Sequence, residues 1–130
     1  MVELGARMGG DCITTHLVPL STGIDMIKAT IDICLGEEPD IAPRFDKGSA
    51  IRFFNVPYGT ITAIDGVEEA QKIPGVQEIS FTKTVGEKAG EIGSSTDRAG
   101  FVIVQAESAD AAAVGCEMAC SVVQFRVEVD

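Results

Sequence analysis

The residues best suited to chemistry stand within the first eleven positions. Glu3 ends a short apolar string, Arg7 follows four residues later, and Gly9-Gly10-Asp11 closes the run. A carboxylate at a strand end is a natural ligand for a hard cation. Mg²⁺ in particular takes one or two carboxylates together with the phosphates of a nucleotide. The guanidinium of Arg7 offers a planar fork that holds phosphate or carboxylate oxygens bidentately. Gly9 and Gly10 carry no side chain, so their backbone N–H groups can approach an anion closely. Carboxylate, cation and glycine turn are together what phosphoryl transfer requires: a metal clamp, charge neutralisation and hydrogen-bond donors. The same spacing also suits a tight turn carrying a solvated ion pair, and spacing alone leaves both readings open.

Other polar residues have ordinary readings. His16 is the one histidine; it suits a surface or cavity-lining place better than a general base. Asp25 near a helix start favours the helix dipole. The glycines of 86–98 contain no G-x-x-x-x-G-K-[ST] and read as a hairpin loop. Arg98 opens a strand from which it could reach a neighbouring site. Cys12, Cys34, Cys116 and Cys120 form no C-x-x-C, and with one histidine they compose no zinc set. They read as small buried hydrophobes in a reducing, cytoplasmic setting.

Composition bounds what these residues can serve. In 130 residues there are 10 basic and 20 acidic side chains, a net charge of −10. The excess is spread evenly, with 4 basic and 8 acidic groups in residues 1–50 and 6 and 12 in residues 51–130. Such a balance argues against nucleic acid, which needs a basic face, and against anionic membranes. No apolar run reaches the roughly 20 residues of a membrane span. Hydrophobic residues make up 45 %, enough for a folded core.

The elements that must position the early residues can be read along the chain. Residues 1–4 read as a strand end whose sheet partners would lie in sequence not present here, so a piece of a larger fold is expected. A helix is expected over 22–35, capped by Thr22, with Ile24, Ile27, Ile31, Cys34 and Leu35 on one apolar stripe. Residues 36–50, rich in Pro, Gly and acids, read as a connection. Beyond them the pattern repeats: strand 59–65, a short helix 67–73 capped by Asp65 with Glu68, then strand 76–85. Strand 101–106, apolar on both faces and so central, precedes a helix from Ser108 to about residue 119 and a last strand, 122–129. Ala109, Ala112, Ala113, Cys116 and Ala119 give that helix a small-residue face for close approach to a sheet. Strand–helix–strand twice over predicts a split βαβ, ferredoxin-like arrangement, with 51–56 as an added edge strand or a link.

The longer strings resemble a known superfamily. Glu3-Leu4-Gly5-Ala6-Arg7-Met8-Gly9-Gly10-Asp11, then Leu20-Ser21-Thr22-Gly23-Ile24-Asp25-Met26 and Cys34-Leu35-Gly36, are similar to the C-terminal motif of ATP-grasp enzymes. There a strand ending in Glu leads through a turn to Arg-x-Gly-Gly and a helix opened by Gly-(Ile/Val)-Asp. Gly59, Ile73-Pro74-Gly75-Val76, Arg98-Ala99-Gly100-Phe101 and the Ser108 helix resemble the terminal domain of L-amino-acid ligases, in the carboxylate–amine ligase branch. The resemblance implies an α+β chain: the C-terminal end of an ATP-grasp fold (1–50), then a ferredoxin-like βαββαβ domain (51–130). It implies ATP and Mg²⁺ as cofactors and small-molecule carboxylate and amine substrates, amino acids among them, joined through an acylphosphate. Glu3 would be a metal ligand, Arg7 would steady the transferred phosphoryl group, and Gly9 and Gly10 would line the substrate pocket. Many members carry Asn two residues after the Glu; Gly5 stands there instead. The residues 1–130 by themselves are then expected to lack ligase activity. A ferredoxin-like interaction or small-ligand module is the alternative. Self-association through an uncovered stripe of the 22–35 helix is a further expectation.

Overall fold

The computed structural model describes residues 5–129. Glu3 and the expected strand end at 1–4 lie outside the described residues. The chain divides into two compact units, Met1–Lys47 and Gly48–Asp130.

The first unit is helical. A π-helical turn, Ile13–Leu17, runs directly into α1 (Val18–Thr22), with Pro19 in the first turn of α1. Gly23, at φ 75°, ends α1 in the left-handed conformation. The expected cap at Thr22 is therefore not formed. Thr22 belongs to the preceding helix and its hydroxyl donates back to the Val18 carbonyl at 2.8 Å. Asp25 caps α2 (Met26–Cys34) instead, its Oδ1 accepting from Lys28 N at 2.9 Å. The α2 stripe is uncovered: Ile27, Ile31 and Leu35 are 44 %, 54 % and 69 % exposed, and Cys34 is exposed as well. Ala29 and Asp32 are the buried positions, with Lys28 Nζ 2.5 Å from Asp32 Oδ2. The segment after α2 returns to α1, with Arg44 N on Thr22 O at 2.8 Å and Lys47 N on Ser21 O at 2.9 Å.

The second unit mixes helices with two antiparallel sheets. Its strands are β1 (Gly48–Phe53), β2 (Gly59–Asp65), β3 (Val76–Phe81), β4 (Lys88–Ala89), β5 (Gly100–Ala106) and β6 (Gln124–Glu128). Its helices are α3 (Val67–Gln71) and α4 (Ala109–Val122). One sheet is ordered β1-β5-β3 and the other β4-β2-β6. β5 is central as its two-faced apolar pattern requires, with Val102, Ile103 and Val104 at most 1 % exposed.

A ferredoxin-like arrangement would hold β2, β3, β5 and β6 in a single sheet; here they divide between two. β1 occupies the second edge of β5 over its whole length, from Gly48 opposite Ala106 to Phe53 opposite Phe101. This satisfies every β5 backbone group from that side, so β2 pairs with β6 and β4 instead. The residues 51–56 stretch thus does provide an edge strand, beginning at Gly48. That glycine is required: a Cβ there would lie 2.0 Å from the Ser108 backbone at the start of α4.

α4 lays its small face on the core. Ser108 caps it, accepting from Ala111 N at 3.2 Å, and Ala112, Cys116 and Ala119 are fully buried. Together with Phe54, Val102 and Val104 they form one cluster, against which Ile64 of β2 and Phe125 of β6 also pack. Burial pushes the Cys116 thiol up to about 11. Its Sγ contacts the carbonyls of Ala50 (3.3 Å) and Val102 (3.7 Å), so it serves packing. Asp65 does not cap α3. Its carboxylate meets Arg126 Nε at 2.8 Å, and Gly66, at φ 79°, occupies the cap position.

Candidate functional site

Within the first unit the chemistry-bearing residues sit on the turn that launches the π-helical segment. Arg7 is exposed, and its Nη1 donates to Met8 O at 3.3 Å. Gly9 is held from both sides. Its carbonyl accepts from the buried Thr14 hydroxyl at 3.1 Å, and a Cβ on it would meet Ile13 at 3.1 Å. Gly10 differs: a Cβ there would meet nothing within 4 Å, so this stretch of backbone faces open space. Its carbonyl accepts from Ile13 N at 2.9 Å.

The turn closes through two residues in the left-handed region, Asp11 (φ 48°) and Cys12 (φ 61°). Asp tolerates this conformation, and a cysteine does so only at a cost of roughly 1–2 kcal/mol. Cys12 O then accepts from both His16 N (2.9 Å) and Leu17 N (3.0 Å), which defines the wider π turn. Strained backbone of this kind persists where surrounding contacts over-determine it, and it gathers at ligand-binding turns. The paired left-handed residues and the Thr14 anchor were not foreseen from sequence. The one available signal was a Thr placed to reach back to a glycine carbonyl.

The other polar residues take structural places. His16, half-buried, has its Nδ1 2.7 Å from its neighbour's hydroxyl, Thr15 Oγ1. Asp25 is the α2 cap. Arg98 stacks its guanidinium 3.9 Å from the Phe53 ring centroid. In the 86–98 loop the donors of Gly93 and Ser94 are taken by the loop's own carboxylate. Asp97 Oδ2 accepts from Gly93 N (3.1 Å), Ser94 N (2.7 Å) and Ser94 Oγ (3.0 Å), and these bonds hold Asp97 below the ordinary carboxylate range. Among the described residues, no three His, Cys, Asp or Glu side chains gather where they could hold a metal ion. No helix is long and apolar enough to cross a membrane among them.

The second unit decides the affiliation. A family model described as L-amino acid ligase C-terminal domain 2 matches residues 52–128. The chain belongs to this family. The resemblance of residues 51–130 to the terminal domain of L-amino-acid ligases is thereby shown, while this match does not reach the Glu3–Asp11 and Leu20–Gly36 strings. Uncharacterized protein y4rH of Sinorhizobium fredii (strain NBRC 101917 / NGR234) is 28% identical over 113 residues, covering 86% of this chain and 23% of the relative. Two crystal structures share the fold. Phosphoribosylglycinamide synthetase from Anaerococcus prevotii superposes with a TM-score of 0.80 at 21% identity, over 97% of this chain and 33% of its own. L-amino acid ligase from Bacillus licheniformis does so with 0.75 at 22%, over 98% and 32%. This chain thus spans 23% to 33% of the length of these relatives.

Proposed function

We propose that this chain serves as the C-terminal part of an ATP-dependent carboxylate–amine ligase. Residues 1–50 would close the ATP-grasp fold and residues 51–130 would form the terminal domain. In this reading the substrate carboxylate takes the terminal phosphoryl group of ATP to give an acylphosphate and ADP. The amine of a second substrate then attacks the acyl carbon and phosphate leaves, forming an amide or peptide bond. Amino acids are the substrates that the family's name favours.

The observation that carries the reading is the Arg7–Cys12 turn. It exposes the Arg7 guanidinium and, three residues on, the open backbone of Gly10, and it is held through Thr14 and two left-handed residues. Arg7 is suited to neutralise charge on the transferred phosphoryl group and the acyl oxyanion. Gly10 is suited to line the substrate pocket, because nothing stands within 4 Å of where its Cβ would be; Gly9, covered on that side by Ile13, would back the turn behind it. For Mg²⁺ the described residues offer no cluster by themselves. Glu3, the proposed ligand, lies outside them.

The test uses the full-length reading frame that carries this sequence, assayed for phosphate release with ATP, Mg²⁺ and amino-acid mixtures. Arg7→Lys is expected to lower kcat about 100-fold, the scale of losing a positioned charge donor in a transition state. Gly10→Ala adds a methyl into open space, so it leaves thermal unfolding unchanged while lowering kcat/KM about tenfold. Phosphate release that ignores added amino acids, or an Arg7→Lys enzyme as fast as the parent, overturns the proposal.

A further inference from the structure

Among the described residues β6 has a strand beside it on one side alone, that of β2. The ladder fixes which backbone groups face the open side. Ile61 N donates to Glu87 O at 2.9 Å, and Ile61 O accepts from Gly86 N at 2.8 Å, so both groups of Ile61 turn away from β6. Val127 stands opposite Ile61. That pair is therefore non-hydrogen-bonded, and the Val127 N–H and C=O point outward. Neither is bonded among the described residues. Alternation along β6 gives Phe125 the same direction. Arg126 faces inward instead, its carbonyl accepting from the Thr62 hydroxyl of β2 at 3.2 Å.

An open edge of this kind takes another strand through main-chain hydrogen bonds. Side chains decide which strand fits. Suppose that a second β6 lies antiparallel about a two-fold axis at Val127. The two Val127 residues then exchange N–H···O=C bonds. Each Arg126 falls opposite the second copy's Glu128, at a non-hydrogen-bonded position where cross-strand side chains come closest. The two-fold axis makes this ion pair twice. Shifting the axis by one residue sets Arg126 against Arg126 or Glu128 against Glu128, so charge selects the Val127 register.

The groups needed are available. Arg126 is 71 % exposed; its Nε meets Asp65 Oδ2 at 2.8 Å, and the guanidinium has further donors. Glu128 is exposed and has no ion-pair partner among the described residues. Val129, also exposed, would gain cover opposite the second copy's Phe125. The other edges lack this pattern. β1 carries Arg52 but no acid, β3 carries Glu78 but no base and has an irregular register after Val76, and β4 has two residues.

We propose that β6 is a self-association edge, through which two copies of this chain pair antiparallel about Val127 and join their β4-β2-β6 sheets into one. This stands or falls independently of the ligase reading.

The experiment is sedimentation equilibrium of the chain in about 0.15 M salt, which screens the net charge of −10 on each copy. One strand makes a small contact, so a monomer–dimer equilibrium with a Kd on the order of 0.1 mM is expected. Glu128→Lys sets lysine opposite the second copy's Arg126. It is expected to weaken the dimer at least about tenfold and to leave thermal unfolding unchanged. Combining Arg126→Glu with Glu128→Arg restores opposite signs, and is expected to return Kd to within about threefold of the parent. Ile31→Glu, on the uncovered α2 stripe, is expected to leave Kd unchanged. Amide exchange in the unmutated chain gives a second reading: the Phe125 and Val127 amides should slow as concentration rises. A monomer up to about 1 mM, a dimer that Glu128→Lys leaves intact or that Ile31→Glu abolishes, a folded double variant that stays monomeric, or Val127 exchange independent of concentration overturns the assignment.

Discussion

Phe54 is the residue whose removal most directly tests how the second unit is held together. It follows β1, is 4 % exposed, and faces partners from two directions. Its ring stacks on Phe81 of β3, with centroids 5.5 Å apart and planes 14° apart, and tilts against Phe125 of β6 at 5.4 Å. One side chain therefore bridges the two sheets. Phe54→Ala removes the buried ring and leaves a cavity, which costs about 3–5 kcal/mol. Phe54→Leu keeps most of the apolar volume but loses both aromatic contacts, each worth about 0.5–1.5 kcal/mol beyond area. Leucine should therefore cost about 1–3 kcal/mol, distinctly less than alanine. Urea unfolding followed by Tyr58 fluorescence reads this unit alone, because Tyr58 is the only tyrosine and tryptophan is absent. Far-UV circular dichroism reports the helices of both units alongside it. If leucine cost less than about 0.5 kcal/mol, ring stacking would not be what joins the sheets. An alanine cost below about 1 kcal/mol would mean that the Phe54 site collapses freely and the cluster is not a single packed core.

Two further predictions concern glycine geometry and pH. Gly75→Ala should destabilise by at least about 2 kcal/mol, since it adds left-handed strain at φ 87° and places a methyl 2.4 Å from Gln105 O. Gly86→Ala, at φ 94° with nothing within 4 Å, should cost only the strain, about 1–2 kcal/mol; equal losses in the two variants would refute the contact. Asp97, bonded by Ser94 and Gly93, and Glu87, bonded by the Thr84 N–H and hydroxyl, should titrate below their ordinary 3.8 and 4.5. Both are depressed in the folded state, so their stabilisation is present above those ordinary values and is lost as pH falls through the lowered ones. Carboxyl NMR titration checks the midpoints, and Asp97→Asn should speed amide exchange at Gly93 and Ser94; midpoints at or above the ordinary values would contradict the bonding.

The sequence disclosed faces more readily than partners. The apolar run Phe101-Val102-Ile103-Val104 marked β5 as two-sided and central, and the Ala112, Cys116 and Ala119 spacing marked the buried face of α4. Both follow from local period alone. Which strand lies beside β5 depends on something nonlocal. β1 fits there because it can match six successive β5 residues and because Gly48 lets its backbone come against Ser108. A two-residue period is blind to that, so four similar strands read as one sheet when they form two. Capping failed for a related reason. Thr22 and Asp65 both had suitable oxygens, but Gly23 and Gly66 take left-handed conformations next to them and displace the helix starts. Thr22 then bonds backward and Asp65 turns to Arg126.

For the candidate site, residue types were legible but the backbone that presents them was not. Arg7, Gly9 and Gly10 stand out as chemistry because their side chains, or lack of them, have few other uses in such a string. What turns the string into a presented surface is the left-handed pair at Asp11 and Cys12, and a cysteine carries no propensity that would announce it. The strain has to be held by contacts further along. Thr14 bonds back to the Gly9 carbonyl, and Cys12 O receives two N–H groups from the π turn. These bonds fix the Gly9 side of the turn while the Gly10 side stays open. Rigid backing behind an uncovered backbone is what electrostatic catalysis requires, since donors held in place before the reaction need no reorganisation during it. On the proposed reading Thr14 would act as a positioning residue for the turn, contributing through the geometry of Gly9 and Gly10 rather than through any contact with substrate.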